Sequence, residues 1–228
     1  MTNMGTLYIV ATPIGNLKDI TLRSLEILKK VDLIFCEDTR RTLKLLDHYK
    51  IEKSLESFFE HNEERKITDA LTRIQQGKSI ALLSDAGTPL ISDPGYRLVS
   101  EAIKMGIRVE PVPGPSSILT AVAASGLPID QFVFVGFLPQ KEGKRENFLE
   151  KLKSEERTIV AFESPNRLVF SLSSMIKVLG DRQICVAREM TKIHEEFFRG
   201  KLSDSIEHFG KQSQVKGEIT LVVGGKIS

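Results

Sequence analysis

Short apolar runs alternate with segments of helical periodicity along the first half of the chain. Four of the runs predict buried strands, at residues 7–11, 32–36, 79–84 and 107–112. A helical spacing follows the first run, with Thr21 as its expected N-cap. The apolar residues at this spacing are expected to share one face: Leu22, Leu25, Leu28 and Val31. Such alternation predicts a mainly parallel sheet with helices on both faces.

The second half of the chain has a different rhythm, which begins after the turn-rich segment 126–130. Its β-type runs are joined by hairpin-length links as well as by helices, so a mixed sheet is expected there. We therefore predict an α/β protein of two domains, residues 1–125 and 126–228, with a ligand-binding cleft between them.

Composition excludes several classes of protein. The chain has 228 residues, of which 41% are hydrophobic and 27% charged, as in ordinary globular proteins. No apolar run approaches the roughly 18 residues of a membrane span, and no export signal is apparent. We therefore expect a cytoplasmic protein with no membrane partner, in which Cys36 and Cys185 are reduced. The net charge of +2 neither indicates nor excludes a nucleic-acid partner.

Several familiar cofactor motifs are absent from the sequence. The turn expected at 12–16 lacks the glycine fingerprint of a dinucleotide site. The glycine pair at 224–225 lacks the upstream glycine that a phosphate-binding loop requires. The four histidines and two cysteines show no metal-ligand spacing, so no metal is expected.

The segment 84–95 is a long loop that directly follows a predicted strand. Its twelve residues exceed the two to six that are usual between a strand and a helix, which favours a functional role. Asp85 and Asp93 can accept hydrogen bonds from hydroxyls or an amine, and small neighbours let a ligand approach the backbone. The alternative is a long turn whose Asp side chains cap their own backbone.

A second candidate loop spans residues 112–117, again between a strand and a helix. Ser116 and Ser117 place hydroxyls beside the free amides of a helix start, which can receive a carboxylate or phosphate. Simple helix capping is the alternative. Two such loops reinforce each other, because ligands of open α/β sheets bind outside the carboxyl ends of the strands.

A third candidate segment, 35–42, places acidic residues before basic ones. Glu37 and Asp38 can orient a hydroxyl or accept its proton. Three cations lie on adjacent turns of the expected helix and suit phosphate contacts, namely Arg40, Arg41 and Lys44. The alternative is that the acids and bases only complement the helix dipole.

The second half carries charged residues just beyond two apolar strands, in segments 162–167 and 187–195. Surface ion pairs are the default explanation of such residues. Their repeated position at strand ends favours a shared polar site.

Nine short motifs follow one another along nearly the whole chain. They cover residues 12–17, 36–40, 84–89, 91–95, 113–116, 136–139, 163–165, 187–189 and 216–218. The ordered series resembles the tetrapyrrole methylase family, and within it the branch that methylates ribosomal RNA.

The resemblance implies two α/β domains of the tetrapyrrole methylase type, with S-adenosylmethionine in the cleft between them and assembly as a homodimer. It implies 2′-O-methylation of a cytidine ribose in the decoding region of 16S rRNA. The expected partner is therefore 16S rRNA or the small ribosomal subunit. Two alternatives stay open: methylation of a tetrapyrrole or another small molecule, and a non-catalytic RNA-binding module.

The resemblance also implies roles for individual residues. Cofactor binding is expected from Pro13, Asp85, Gly87, Thr88, Ser116, Ser117, Leu138 and Glu218. Four unranked carboxylates are candidate catalytic proton acceptors: Glu37, Asp38, Glu163 and Glu189. Substrate binding is expected from Arg40, Arg41, Lys44, Arg167, Arg188 and Lys192. Where the family pattern has a Tyr and a His around the acid at 163, this chain has Phe162 and Asn166.

Overall fold

The computed structural model describes residues 4–59 and 63–226, which form two compact units. The first unit is Met1–Ser116 and the second is Ser117–Ser228. Each unit is built around one five-stranded sheet. The prediction of an α/β fold is therefore confirmed.

The first unit contains a fully parallel sheet with strand order β3-β2-β4-β1-β5. Its elements are β1 Thr6–Val10, α1 Leu22–Lys30, β2 Leu33–Cys36, α2 Thr39–His48, β3 Leu55–Ser57, α3 Glu63–Gln75, β4 Ile80–Leu83, α4 Tyr96–Lys104 and β5 Arg108–Val112. All four strands expected from the apolar runs are present. The short strand β3 was not predicted, because its three half-buried residues form no apolar run.

Alternation along the central strand β4 divides the core of the first unit in two. Ile80 and Leu82 face α3 and α4, whereas Ala81 and Leu83 face α1 and α2. All four side chains are buried. Because both faces of the sheet are covered, its three central strands, β2, β4 and β1, are apolar at nearly every position rather than at every second residue.

Helix α1 shows where the expected helical face was wrong. Leu28 and the following Val31 are fully buried, but Leu22 is 79% exposed. A spacing of three residues advances only 300° around a helix with 3.6 residues per turn, so each step slips by about 60°. From Leu22 to Leu28 the slip places the two side chains on different faces.

The second unit contains the mixed sheet that the sequence predicts, with strand order β6-β7-β10-β8-β9. Strands β6 and β7 are parallel, and the other three pairs are antiparallel. Its elements are α5 Ser117–Ala123, β6 Phe132–Phe137, α6 Glu142–Glu150, β7 Thr158–Glu163, α7 Leu168–Leu179, β8 Gln183–Arg188, β9 Glu196–Lys201, α8 Leu202–Gly210 and β10 Ile219–Val223. Helices α6, α7 and α8 share one core with this sheet.

Helix α5 groups with the second unit, although the boundary expected from the sequence lies after it, at 125. The helix packs against β10. The Arg199 guanidinium of β9 donates two hydrogen bonds to the Ala124 carbonyl oxygen just beyond α5, at 2.9 and 2.6 Å. These contacts attach the segment after Ser116 to the second sheet.

Three global features of the described residues bear on function. Among residues 4–59 and 63–226, no helix combines the length and hydropathy needed to cross a membrane. In the same ranges, no group of three or more His, Cys, Asp or Glu side chains is arranged to hold a metal ion. Cys36 and Cys185 are both buried and free.

The N-cap of α1 provides a test of the local structure. Thr21 Oγ1 accepts a hydrogen bond from the Ser24 N–H at 3.0 Å. Thr21→Ala should lower the free energy of unfolding by about 1 kcal/mol, whereas Thr21→Ser should leave it nearly unchanged. Chemical denaturation measures both. Thr68→Ala, in the middle of α3, is the matched control and should be neutral or slightly stabilising, because alanine is the better helix former.

Candidate functional site

The loops after β1, β4 and β5 are joined at one edge of the first sheet. The N–H groups of Thr12 and Gly87 each donate to the other's carbonyl oxygen, at 2.9 and 3.0 Å. Thr88 Oγ1 donates to the Pro115 carbonyl oxygen at 3.3 Å. The first sheet therefore carries a joined set of loops at the carboxyl ends of its strands.

At the end of β4, the connections from neighbouring strands lead to helices on opposite faces of the sheet. Its neighbours β1 and β2 continue into helices on one face, whereas β4 continues into α4 on the other face. Ligands of open α/β sheets bind in the crevice that such a divergence leaves. The loop 84–95, singled out from the sequence, starts at this position.

Gly87 lets the joined loops pack closely. Its φ of +77° lies in the left-handed region, and an added Cβ would stand 3.3 Å from the Ile14 side chain. Gly87 and Pro13 are both buried, whereas the neighbouring Thr88 is exposed. A ligand at this edge would thus meet Thr88 rather than the two buried residues.

Asp85 connects the loop after β4 to the start of α2. Its carboxylate accepts a hydrogen bond from the Asp38 N–H at 3.0 Å and pairs with Arg41 Nη1 at 3.3 Å. Two of the candidate segments, 35–42 and 84–95, therefore meet through one side chain.

Two further carboxyls lie close to Asp85 and hold their protons more tightly than usual. Burial, followed by the negative charge of Glu37, raises the pKa of Asp93 to about 6. Glu37 is an exposed residue, yet partial burial of its carboxyl and then the charge of Asp85 raise its pKa as well. Burial and the mutual repulsion of these carboxyls therefore both oppose their ionisation.

Asp38 has a different environment from its neighbour Glu37. It is the N-cap of α2, and its carboxylate accepts from the Arg40 N–H at 2.9 Å and from the Arg40 guanidinium at 3.0 and 2.7 Å. The Arg40 side chain and then its N–H lower the pKa of Asp38 to about 2. This carboxylate is consequently a weak proton acceptor.

The three predicted phosphate-binding cations lie together on α2. The side chains of Arg40 and Arg41 are 87% and 61% exposed, and Lys44 is also exposed one turn further on. These side chains can still turn toward an added anion, because surface ion pairs such as Arg40–Asp38 contribute little to stability.

In the second unit, register brings several predicted site residues to one edge of the sheet. Ile219, the first residue of β10, pairs with Glu163 at the end of β7 and with Arg188 at the end of β8. Glu218 and Glu189 follow directly at the same edge. The antiparallel pairing of β10 thus gathers residues that are far apart in sequence.

Glu163 is enclosed at this edge. Its side chain has no exposed surface and accepts hydrogen bonds from Ser171 Oγ and the Ser164 N–H, while Arg167 Nη2 lies 2.6 Å away. Arg167 also donates to Ser164 Oγ and to the Leu138 carbonyl oxygen. Glu163 therefore holds the turn after β7 and the Arg167 side chain in place.

Glu189 and Glu218 share a cation. Lys192 Nζ lies 2.8 Å from Glu189 Oε1 and 3.1 Å from Glu218 Oε2, and the Glu218 N–H also donates to Glu189. Burial would raise the pKa of Glu189, but the bonds from Lys192 and the Glu218 N–H lower it overall. Burial likewise opposes the charge of Lys192, and its two carboxylate partners nevertheless raise the pKa of its ammonium group. Glu189 and Lys192 therefore stay ionised.

The remaining predicted residues are placed as follows. Arg188 is held by Glu196 Oε2 at 2.8 Å and by the Lys216 carbonyl oxygen at 3.1 Å, so it is committed to internal contacts. The side chain of Leu138 is buried. Ser116 ends the first unit and Ser117 begins α5, and both are half-buried.

Two residues outside the predicted set prove to be part of these edges. Asp93 was flagged only as a possible hydrogen-bond acceptor, and its raised pKa depends on Glu37, which is distant in sequence. Gly217 has a φ of +95°, and a Cβ there would overlap the Glu189 carboxyl. A glycine beside Glu218 is a sequence signal for a tight backbone turn. The contact between Gly217 and Glu189 could be recognised only from the register of β10 with β8.

Comparison with known proteins identifies the family. The family model for tetrapyrrole (corrin/porphyrin) methylases matches residues 6–205. The chain belongs to the tetrapyrrole methylase family. It is 53% identical over 223 residues to ribosomal RNA small subunit methyltransferase I of Thermotoga maritima, with 98% of this chain and 100% of that protein covered. The Escherichia coli O157:H7 protein of the same name is 46% identical, with 98% and 79% covered.

Solved structures of other tetrapyrrole methylases share the fold. Cobalt precorrin-4 methyltransferase matches with a TM-score of 0.70 at 20% identity, over 96% of this chain and 94% of that one. Uroporphyrin-III C-methyltransferase of Thermus thermophilus, solved with S-adenosylhomocysteine, matches with a TM-score of 0.66 at 21% identity, over 96% and 97%. At these identities the likeness establishes the fold.

The close packing of Gly217 on Glu189 can be tested with two glycine substitutions. Gly217→Ala forces a side chain into the left-handed region and against the Glu189 carboxyl, so it should cost about 2 kcal/mol of unfolding free energy. Gly143→Ala is the matched control, because a Cβ at Gly143 in α6 meets nothing within 4 Å. The control should be neutral or stabilising by up to about 1 kcal/mol. Equal effects in chemical denaturation would contradict the packing.

The raised pKa of Asp93 predicts a pH-dependent stability. Between pH 3.8 and about 6 the folded protein retains a proton that the unfolded chain releases, so stability falls as the pH rises through this window. Asp93→Asn should therefore increase the free energy of unfolding by about 1 to 2 kcal/mol at pH 7.5, after allowance for solvent screening, and by much less below pH 4. Asp130→Asn, at an exposed position, is the control for denaturation measured at both pH values. A difference independent of pH would disprove the assignment.

Proposed function

We propose that this protein transfers a methyl group from S-adenosylmethionine to small-subunit ribosomal RNA. The specific reaction is 2′-O-methylation of a cytidine ribose in the decoding region of 16S rRNA. The gathering of the strand-end loops around Asp85, in a chain about half identical to proteins named for this activity, is the observation that supports it.

The charges at the edge of the first sheet suit the cofactor. Asp85, Glu37 and Asp93 lie close together, and the raised pKa values of the last two are due partly to a neighbouring negative charge. A ligand with a positive charge relieves this repulsion. When bound, S-adenosylmethionine supplies an electrophilic methyl group on a positively charged sulfur. Asp85, Thr88 and Ser116 are the residues that we assign to holding it; Pro13, Gly87, Ser117, Leu138 and Glu218 stay predicted contacts.

The exposed cations of α2 fit the RNA. Arg40, Arg41 and Lys44 form a short basic surface beside the acidic edge, and such side chains bind the phosphates of a nucleic acid. Arg167, Arg188 and Lys192 are each held by carboxylates, so we assign them mainly to shaping the edge of the second sheet. Binding of RNA should weaken with added salt, because phosphate contacts release counterions.

We assign the catalytic proton acceptor to Glu37. A ribose hydroxyl is a poor nucleophile until its proton is drawn off, and a carboxylate with a raised pKa accepts that proton better than an ordinary one. The pKa of Glu37 is raised, that of Asp38 is about 2, and Glu163 is enclosed. Glu189 is neutralised by Lys192. Glu37 would accept the proton of the 2′-hydroxyl as that oxygen takes the methyl group; the bond from the methyl carbon to sulfur would break and S-adenosylhomocysteine would leave. Glu163 and Glu189 would act as positioning residues.

The proposal includes the assembly and the location of the protein. The resemblance to the family implies a homodimer, and we retain this state as part of the proposal. With ribosomal RNA as its substrate, the protein would act in the cytoplasm. No metal enters the reaction as proposed.

The proposed activity is tested by methyl transfer to purified RNA. The protein is incubated with methyl-labelled S-adenosylmethionine and with 16S rRNA or small subunits from a strain that lacks the modification. We expect label on the 2′-oxygen of one cytidine of the decoding region, located by nuclease mapping. Label on a tetrapyrrole but not on RNA would support the alternative substrate, and RNA binding without cofactor binding in calorimetry would support a non-catalytic module.

Replacement of Glu37 tests the proton acceptor. Glu37→Gln keeps the shape of the side chain but removes its basicity, so kcat should fall by about 100-fold or more. Cofactor affinity, measured by calorimetry, should change little. Glu52→Gln, an exposed position in the same unit, is the control and should retain full activity. Near-normal turnover of the Glu37 variant would rule out this assignment.

A further inference from the structure

The loop after β8 carries an unusually exposed apolar side chain at its tip. Ile193 is 97% exposed, more than any other large apolar residue in the described part of the chain. The next residue, His194, is also exposed, and no hydrogen bond or ion pair holds its imidazole within residues 4–59 and 63–226. We call these two residues the loop tip.

The backbone of this loop is fixed by several hydrogen bonds. The Lys192 N–H donates to the Glu189 carbonyl oxygen and the Glu195 N–H to that of Lys192, at 3.0 and 3.1 Å. The Thr191 N–H donates to the Glu195 carboxylate at 2.6 Å. Glu189 and Thr191 adopt left-handed φ values of 50° and 67°, which cost energy for residues other than glycine. These hydrogen bonds and backbone conformations fix the loop in a form that leaves the tip exposed.

The tip lies at the edge of the second sheet that gathers the charged residues. The loop leaves β8 directly after Arg188, which pairs with Ile219 opposite Glu163. Lys192, immediately before the tip, has a quarter of its side chain exposed. An apolar residue and an aromatic ring thus project beside a cation that is paired with Glu189 and Glu218.

We propose that the loop tip binds an unpaired nucleobase of the RNA substrate, with the His194 ring stacked on the base and Ile193 in apolar contact beside it. This inference rests on the proposed function. Proteins that recognise single-stranded RNA stack splayed bases on aromatic side chains, histidine included. A ribose inside a helix is poorly accessible to an enzyme, so displacement of the target or a neighbouring nucleotide from its stack favours the reaction.

The size and the surroundings of the tip favour a base over a protein partner. A stable protein interface buries about 800 Å² on each side and involves some 20 to 30 residues. The tip offers two side chains, and the residues on either side of it, Lys192 and Glu195, are charged. A nucleobase needs only one flat ring and a neighbouring apolar contact.

The test compares kinetics of tip variants on 16S rRNA or small subunits. Replacing both tip residues by alanine should raise KM for RNA about tenfold, because a stacked base typically contributes that much or more to binding. We expect kcat to change less than about twofold, because Glu37 is untouched. Cofactor affinity and the salt dependence of RNA binding should stay as in the wild type, since no phosphate contact is lost.

Further variants separate stacking from other effects. His194→Phe keeps an aromatic ring without the imidazole nitrogens, so its KM should remain near the wild-type value, whereas His194→Ala should not. Ile103→Ala, on α4 and 61% exposed, is the control for loss of a surface isoleucine. An unchanged KM in the double variant, or no rescue by phenylalanine, would overturn the inference. A changed oligomeric state in sedimentation would assign the tip to contact between copies of this chain instead.

These results also distinguish the inference from the function on which it rests. If the wild type labels 16S rRNA and the tip variants match it, the inference fails and the proposed function stands. If the wild type labels no RNA, the proposed function fails and the inference fails with it.

Discussion

Two loops of the first unit are tied together by the carboxylate of Asp85. It leaves the end of β4 and accepts the N–H of Asp38, the residue that caps α2, while Arg41 of the same helix pairs with it. The loop assigned to the cofactor and the helix assigned to RNA phosphates are therefore fixed relative to each other. The parallel order of the sheet makes this contact possible, because it ends β2 and β4 side by side.

The two sheet edges handle their charges in opposite ways. In the first unit, Glu37 and Asp93 have raised pKa values beside Asp85, so the edge gains from binding a cation. In the second unit, each candidate carboxylate has a cationic partner; Glu163 has Arg167 and Glu189 has Lys192. The first arrangement suits binding of a cation and proton transfer, and the second suits a rigid edge with paired charges.

Local signals allowed much of the fold to be predicted. Apolar runs located the four longer strands of the first sheet, and Thr21 caps α1 as expected. Residues that depend on distant partners were less predictable. Leu22 is exposed because a three-residue spacing drifts around a helix.

In the candidate site, too, local features were predictable and contacts with distant residues were not. The loops of the site could be predicted from the sequence, because their length and their small residues are local properties. The pKa and the hydrogen-bond partners of each carboxylate could not be predicted. Asp38 is held by Arg40, two residues away, whereas Glu163 is enclosed by Ser171 and Arg167 through the turn into α7. Which carboxylate is left with a raised pKa depends on these partners, and a sequence pattern does not specify them.

Hydrogen–deuterium exchange with and without S-adenosylhomocysteine is the most direct measurement of the central claim, that the strand-end loops of the first unit hold the cofactor. At saturating ligand, slowed exchange is predicted for the amides of residues 12–16, 84–95 and 113–116 together. Saturation with no protection in these three segments would contradict the account.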